Sequence, residues 1–154
     1  SSFLWTNSSM NDLELLQSSV RQKVFKAEAL MLQMPQRELE VKHYFSHRIY
    51  ARELYIPRDT ILVGKLHKFP QLNILSKGDI SVLIDEEVKR IQAPYTIVSP
   101  AGTKRIAYAH EDTVWLTIHG TDEINIDIIE EMFTASSEQE YLDFVNSQLR
   151  LPGF

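Results

Sequence analysis

The sequence predicts a mainly antiparallel β domain, a sandwich or barrel, with an amphipathic helix before it and short helices after it. Three observations carry this reading. Between residues 38 and 121, about nine short runs rich in β-branched and aromatic residues are separated by turn residues at intervals of about 8–12 positions. No helical stretch of about 10–15 residues separates any two of them, which argues against a parallel sheet. Outside this segment, apolar residues recur every three or four positions instead.

The elements follow in order. Residues 1–10 read as an arm in which Phe3, Leu4 and Trp5 stand among Ser, Thr and Asn. Such an arm is either ordered against a partner or stapled onto its own helix, and the three residues are candidate interface residues. Residues 11–37 form a helical extension, with Leu13, Leu16, Val20, Val24, Ala27, Met31 and Met34 on one stripe. Asn11 or Ser9 caps it and Pro35 stops it. Leu15, Phe25, Leu30 and Leu32 lie off the stripe, so the helix either packs on its own barrel or is shared with a neighbouring subunit.

Strands are expected over 41–45, 49–56, 61–68, 72–75, 80–84, 88–92, 95–99, 105–109 and 113–119. Residues 122–154 return to helix. Ile126, Ile129, Met132 and Phe133 mark one, and the capping box Ser137-Glu138-Gln139-Glu140 opens a second through Tyr141, Phe144, Val145 and Leu149.

At 154 residues the chain suits one domain with a proper core. A net charge of −5 disfavours binding to a nucleic-acid backbone by counterion release. No apolar run approaches the roughly 20 residues of a membrane-spanning helix, and no secretory signal is expected at the start of the sequence. The absence of cysteine removes disulfides, thiolate catalysis and cysteine zinc sites together. Nucleophilic catalysis has no signature either: there is no Gly-x-Ser-x-Gly, no cysteine, and no serine placed credibly beside a histidine for catalysis. No phosphate loop or dinucleotide fingerprint occurs.

Two stretches stand out, Gly64-Lys65-Leu66-His67-Lys68-Phe69-Pro70-Gln71-Leu72-Asn73 and Pro100-Ala101-Gly102-Thr103-Lys104-Arg105. With His43-Tyr44-Phe45, Tyr50-Ala51-Arg52-Glu53-Leu54, Gly78-Asp79-Ile80 and Glu111-Asp112-Thr113-Val114-Trp115, they make residues 43–131 resemble the cupin superfamily, within it the short cupin proteins encoded by bacteriophages. The resemblance implies a cupin-like jelly-roll barrel over residues 38–121. It departs from the phage group at His47-Arg48, where a glycine turn is usual, and at Pro57-Arg58-Asp59, where Pro-Ala-Gly is usual.

The family's metal pattern sets two His two residues apart, a Glu a few residues on, and a third His after a Pro-x-Gly turn. Residues i and i+2 of a strand share a face, so two imidazoles there can share an ion. Here those positions hold His67, Phe69, Asn73 and Arg105. A guanidinium keeps its charge and repels a divalent ion, so no metal, no other cofactor and no catalytic residue is expected.

Alternation puts Lys65 and Val63 on the face of His67. Lys65, His67, Asn73 and Arg105 are therefore the candidate pocket, suited to a small anion such as a carboxylate, phosphate or sugar nucleotide. Alternatively, Lys65 and Arg105 pair internally with Glu53, Glu111 or Asp112. Trp115 is a core or subunit-interface aromatic, and His43, His47, His110 and His119 are ordinary strand, turn or surface histidines.

Three functions remain open. The first is a non-enzymatic component of a phage virion, at a collar, portal vertex or as decoration. It would assemble as a homo-oligomer with other virion proteins, on the particle or in the cytoplasm of the infected host. The second is a sugar-nucleotide epimerase or isomerase using His67 as base, with Tyr95 or Tyr108 as its partner. The third is a protein that binds or sequesters a small anion.

Overall fold

A computed structural model describes residues 7–84 and 87–149, with side chains from residue 15 onward. Phe3, Leu4 and Trp5 lie outside the described residues. Helix α1 (Asn7–Met31) precedes ten strands: β1 (Val41–Ser46), β2 (Ile49–Ile56), β3 (Ile61–Val63), β4 (Leu66–His67), β5 (Gln71–Lys77), β6 (Asp79–Ile84), β7 (Glu87–Gln92), β8 (Tyr95–Ser99), β9 (Ile106–Ala109) and β10 (Thr113–His119). Then come α2 (Ile126–Phe133), β11 (Thr134–Ala135) and α3 (Glu138–Leu149). All paired strands run antiparallel, in a five-stranded sheet β1-β2-β10-β5-β8, a four-stranded sheet β3-β9-β6-β7 and a small pair β11-β4. The chain is a mainly β, cupin-like antiparallel jelly-roll barrel with an N-terminal helix and short C-terminal helices.

The expected strand over 61–68 is broken. Gly64 and Lys65 interrupt it, leaving β3 and β4 in different sheets. The break occurs because Gly64 N–H donates to Arg105 O (2.9 Å) while His67 N–H donates to Thr103 O (3.1 Å). Gly102 N–H in turn donates to His67 O (2.8 Å), so the 100–105 turn clips onto β4.

Packing of α1 follows the apolar stripe only through its middle. Val24 is buried and Val20, Ala27 and Met31 are half-buried, but Leu16 and Met34 are exposed. The docking face also includes Ser18, Arg21, Phe25 and Glu28. Charged residues on that face pair outward from the helix: Arg21 with Glu138 on α3, and Glu28 with Lys104 (3.1 Å) in the 100–105 turn. A helix that docks through buried ion pairs does not show all of its inner face in its hydrophobic pattern.

Two residues other than glycine adopt the left-handed backbone that glycine favours: Arg48 has φ 59° and Asp59 φ 63°. Neighbours hold both in place. Arg48 N–H donates to Asp122 Oδ1 (2.8 Å), and Asp59 Oδ1 accepts from Tyr108 Oη (2.9 Å).

At the C-terminal side, the capping box forms with a shift of one residue. Glu140 N–H donates to Ser137 Oγ, but the Glu140 carboxylate reaches back to Ser136 N–H (2.9 Å).

Candidate functional site

Strand register lays the inner face of the five-stranded sheet out in rows. One row is apolar: Val41, Leu54, Trp115, Leu75 and Tyr95 lie opposite one another in turn. The next is polar: His43, Arg52, Thr117, Asn73 and Ile97. One position further along, Phe45 faces Tyr50, Tyr50 faces His119, and Gln71 faces Ser99. The barrel therefore has an apolar floor and a polar mouth. Between them is a cavity of about 360 Å³, whose floor includes Leu54, Ile56, Val82 and Trp115 and whose mouth includes Arg52, His67, Arg105 and His119. Helix α2 covers the mouth with Ile126, Ile129 and Phe133.

The sequence-predicted pocket residues all line this cavity, but they do different things. Asn73 is 1% exposed; its Oδ1 accepts from Ser99 Oγ (2.7 Å) and its Nδ2 donates to Thr117 Oγ1 (3.0 Å). Ser99 Oγ accepts from Arg105 Nη1 (2.9 Å). The carboxylate position and the third histidine position of the metal motif are thus joined to each other through Ser99. Lys65 sits at the rim, its ammonium paired with Glu130 of α2, a partner outside the acids that the sequence offered. Glu53 accepts from Tyr44 Oη, and Asp112 accepts from Arg58 N–H. Phe69 lies in the bend after β4, half-exposed, with its edge to the rings of Phe133 and Phe144 (5.9 and 5.2 Å), and does not line the cavity. Trp115 is on the cavity floor, packed against the core cluster of Leu54, Ile56 and Leu75.

Histidine is where sequence reading fell short. His119 lies in the mouth, not on the surface, stacked on Phe133 (4.4 Å) and His67 (5.9 Å). His43 lines the same cavity, and its Nδ1 is 2.6 Å from Tyr50 Oη. The available signal was parity: His43, Tyr50, Arg52 and His119 share the inward register with Leu54 and Trp115. The fold does bring one serine to a histidine. Ser81 Oγ is 2.6 Å from His110 Nε2, on the outward face of β6 and away from the cavity lining.

Burial pushes His67 down to about 3, with the charges of Arg52, Arg105 and Lys104 and the neighbouring His119 adding to the effect. Burial and Arg52 bring His119 down to about 4. Both imidazoles are neutral at physiological pH. A base whose conjugate acid lies near 3 is poorly matched to proton abstraction at neutral pH. Neither Tyr95 nor Tyr108 lines the cavity, and the tyrosine that does is Tyr50. Among the described residues no group of three or more His, Asp or Glu side chains is arranged to hold a metal ion.

These neutral histidines fix a pH dependence. Their folded values lie below the ordinary 6.5, so the unfolded chain takes up protons first. Stability is therefore full above pH 6.5 and falls as pH drops toward 4. Allowing for partial exposure of His119, about 3 kcal/mol should be lost between pH 7 and 5. Denaturant titrations at the two pH values measure this, and His119→Phe should remove about a third of the loss.

No protein-family model matches the sequence, and no curated protein matches it. Solved structures similar to the chain include KdgF from Halomonas sp., at 16% identity over 62% of this chain and 89% of that one, with a TM-score of 0.49. Others are an acetylacetone dioxygenase from Acinetobacter johnsonii (14% identity, 56% of this chain and 66% of that one, TM-score 0.46) and a cupin superfamily protein from Desulfitobacterium hafniense DCB-2 (14%, 58% and 84%, 0.44). Identities and scores this low say nothing of chemistry; the fold rests on strand order and register. No helix among the described residues is long and apolar enough to cross a membrane.

Proposed function

We propose that this chain is a non-enzymatic cupin-fold protein that acts by assembly: a component of a bacteriophage particle, at a collar, portal vertex or as decoration, that associates with copies of itself and with other virion proteins. The observation that carries the non-enzymatic reading is the Arg105–Ser99–Asn73–Thr117 relay. Side chains at two of the metal positions are engaged with each other inside the barrel, and a third, Phe69, faces away. The placement on a particle, or in the infected host's cytoplasm, comes from the resemblance to phage cupins.

Self-association is supported by the edge of the larger sheet. Strand β1 ends the strand order, so among the described residues no strand pairs with its outer edge. Tyr44, Phe45 and Ile49 of the β1–β2 hairpin are 44–50% exposed. An apolar edge of this kind pairs readily with another strand, and antiparallel pairing of two β1 strands about a twofold axis is self-complementary. The expected result is an oligomer by light scattering, converted to a monomer by Tyr44→Lys with Ile49→Lys while stability changes by less than about 1 kcal/mol. A monomeric wild type at micromolar concentration would contradict the self-association.

A second reading, the barrel as a receptor for a small anion, is favoured by the cavity and its two arginines. The cavity is at the lower end of the range of about 300–1,000 Å³ for small-molecule sites, which suits a compact anion better than a sugar nucleotide.

A further inference from the structure

Three polar groups of the cavity have no role in the assembly. Arg52 projects inward from β2 between His43 and Thr117, and among the described residues no hydrogen bond or ion pair involves its guanidinium. Gln71 is 7% exposed, lines the same cavity, and its Oε1 is buried with no partner. The Nδ1 of His67 is likewise buried and unpartnered. An uncompensated cation beside two orphaned buried groups is costly in a folded protein unless a bound molecule satisfies them.

We propose that the cavity binds a small α-hydroxy carboxylate with a compact apolar side chain. This rests on the small-anion reading of the site and narrows it. The carboxylate accepts from the planar fork of Arg52, an arrangement that guanidinium and carboxylate make with two parallel hydrogen bonds. The neighbouring hydroxyl donates to Gln71 Oε1, an acceptor that a plain carboxylate leaves unsatisfied. His67, with a neutral ring, offers Nδ1 to the same polar end.

The rest of the molecule follows from the floor. One row below Arg52 the lining turns to Leu54 and Trp115, and Val82 and Ala107 face them from the other sheet. A sugar acid would bury hydroxyls against these apolar groups, at a cost for each one unpaired. A branched or aromatic side chain fits them. An α-amino acid is disfavoured for a different reason: its ammonium would lie beside Arg52 and Arg105, while Glu130, the acid in the lining, is paired with Lys65.

Calorimetric titration of the purified full chain with five probes tests this: 3-phenyllactate, 3-phenylpropanoate, phenylalanine, glucuronate and inorganic phosphate. Phenyllactate should bind most tightly, with phenylpropanoate weaker and phenylalanine and glucuronate weaker still. Arg52→Gln should weaken phenyllactate by roughly thirtyfold or more. Its melting temperature should be unchanged, since the half-buried guanidinium makes no hydrogen bond or ion pair among the described residues. Gln71→Met should bring phenyllactate and phenylpropanoate to nearly equal affinity. If none of the five binds, the anion-receptor reading falls and the inference with it. If phosphate, phenylpropanoate or glucuronate binds as well as phenyllactate and depends on Arg52, the receptor reading stands and the α-hydroxy acid assignment is overturned. Undiminished phenyllactate binding by Arg52→Gln would overturn the anchor.

Discussion

Gly78→Ala should cost the protein about 3 kcal/mol or more, the largest loss expected from removing no interaction at all. Gly78 joins β5 to β6 at φ 101°, a conformation that side chains rarely adopt. A Cβ there would also lie 2.6 Å from Asp112 O and 2.7 Å from Thr113 Cα, with Thr113 Oγ1 nearer still. Thr113 cannot yield: it is fully buried and its hydroxyl donates to Glu111 O (2.8 Å). Gly64 is the control, since a Cβ there would meet only Arg105 O at an ordinary 3.7 Å. Denaturant midpoints should therefore separate the two variants widely, Gly64→Ala costing under about 1 kcal/mol. Equal losses would mean that the β5–β6 turn is not packed as described.

Arg21→Ala should cost about 3 kcal/mol and release α1 from the barrel. The guanidinium grips Glu138 with two hydrogen bonds (Nε to Oε2, 2.7 Å; Nη2 to Oε1, 2.8 Å), donates to Gly102 O (3.3 Å), and lies over the Tyr141 ring at 4.9 Å. One side chain thus holds together α1, α3 and the turn that clips β4. Its removal leaves the Glu138 carboxylate partly buried with only Ser18 Oγ donating to it among the bonds described. Burial pushes the Glu138 carboxyl up, but the hydrogen bonds from Arg21 and Ser18 and the Arg21 charge outweigh it, so its value is lowered. The pair's contribution is thus complete above the ordinary carboxylate value and lost as pH falls through the lowered folded one. Hydrogen exchange should show α1 deprotected in Arg21→Ala while β2, β5 and β10 stay protected. Unchanged protection of α1 would contradict the latch.

Much of the barrel was legible because each strand is short, alternates, and ends in a turn whose residues have a conformational reason to be there. Gly78 and Gly102 both carry positive φ, at 101° and 80°.

What the sequence hid depends on long-range pairing. Ser99 meets Asn73 and Arg105 only once β5 and β8 are neighbours, and no motif position pointed to it. Reading 61–68 as one strand put Lys65 on the inner face, whereas the break at Gly64 leaves it at the rim. The helix stripe was right in its middle but incomplete, because the docking face of α1 also includes Arg21 and Glu28, whose partners lie more than seventy residues away. His43 and His119 were passed over although strand parity placed them inward; no motif drew attention to them.

These findings fit one physical account. Where the cupin pattern expects a carboxylate and a last imidazole, Asn73 and Arg105 are joined by hydrogen bonds through Ser99. On the proposed reading, the exposed β1 edge makes the contacts with other chains.

Native mass spectrometry of the purified protein, incubated with equimolar Fe²⁺, Mn²⁺ and Zn²⁺ and then desalted, tests that account most directly. The expected spectrum is a homo-oligomer with no stoichiometric metal on any subunit. One metal ion per subunit, lost in His67→Ala, would contradict it, because His67 would then have ligand partners that the relay of Arg105, Ser99 and Asn73 does not allow.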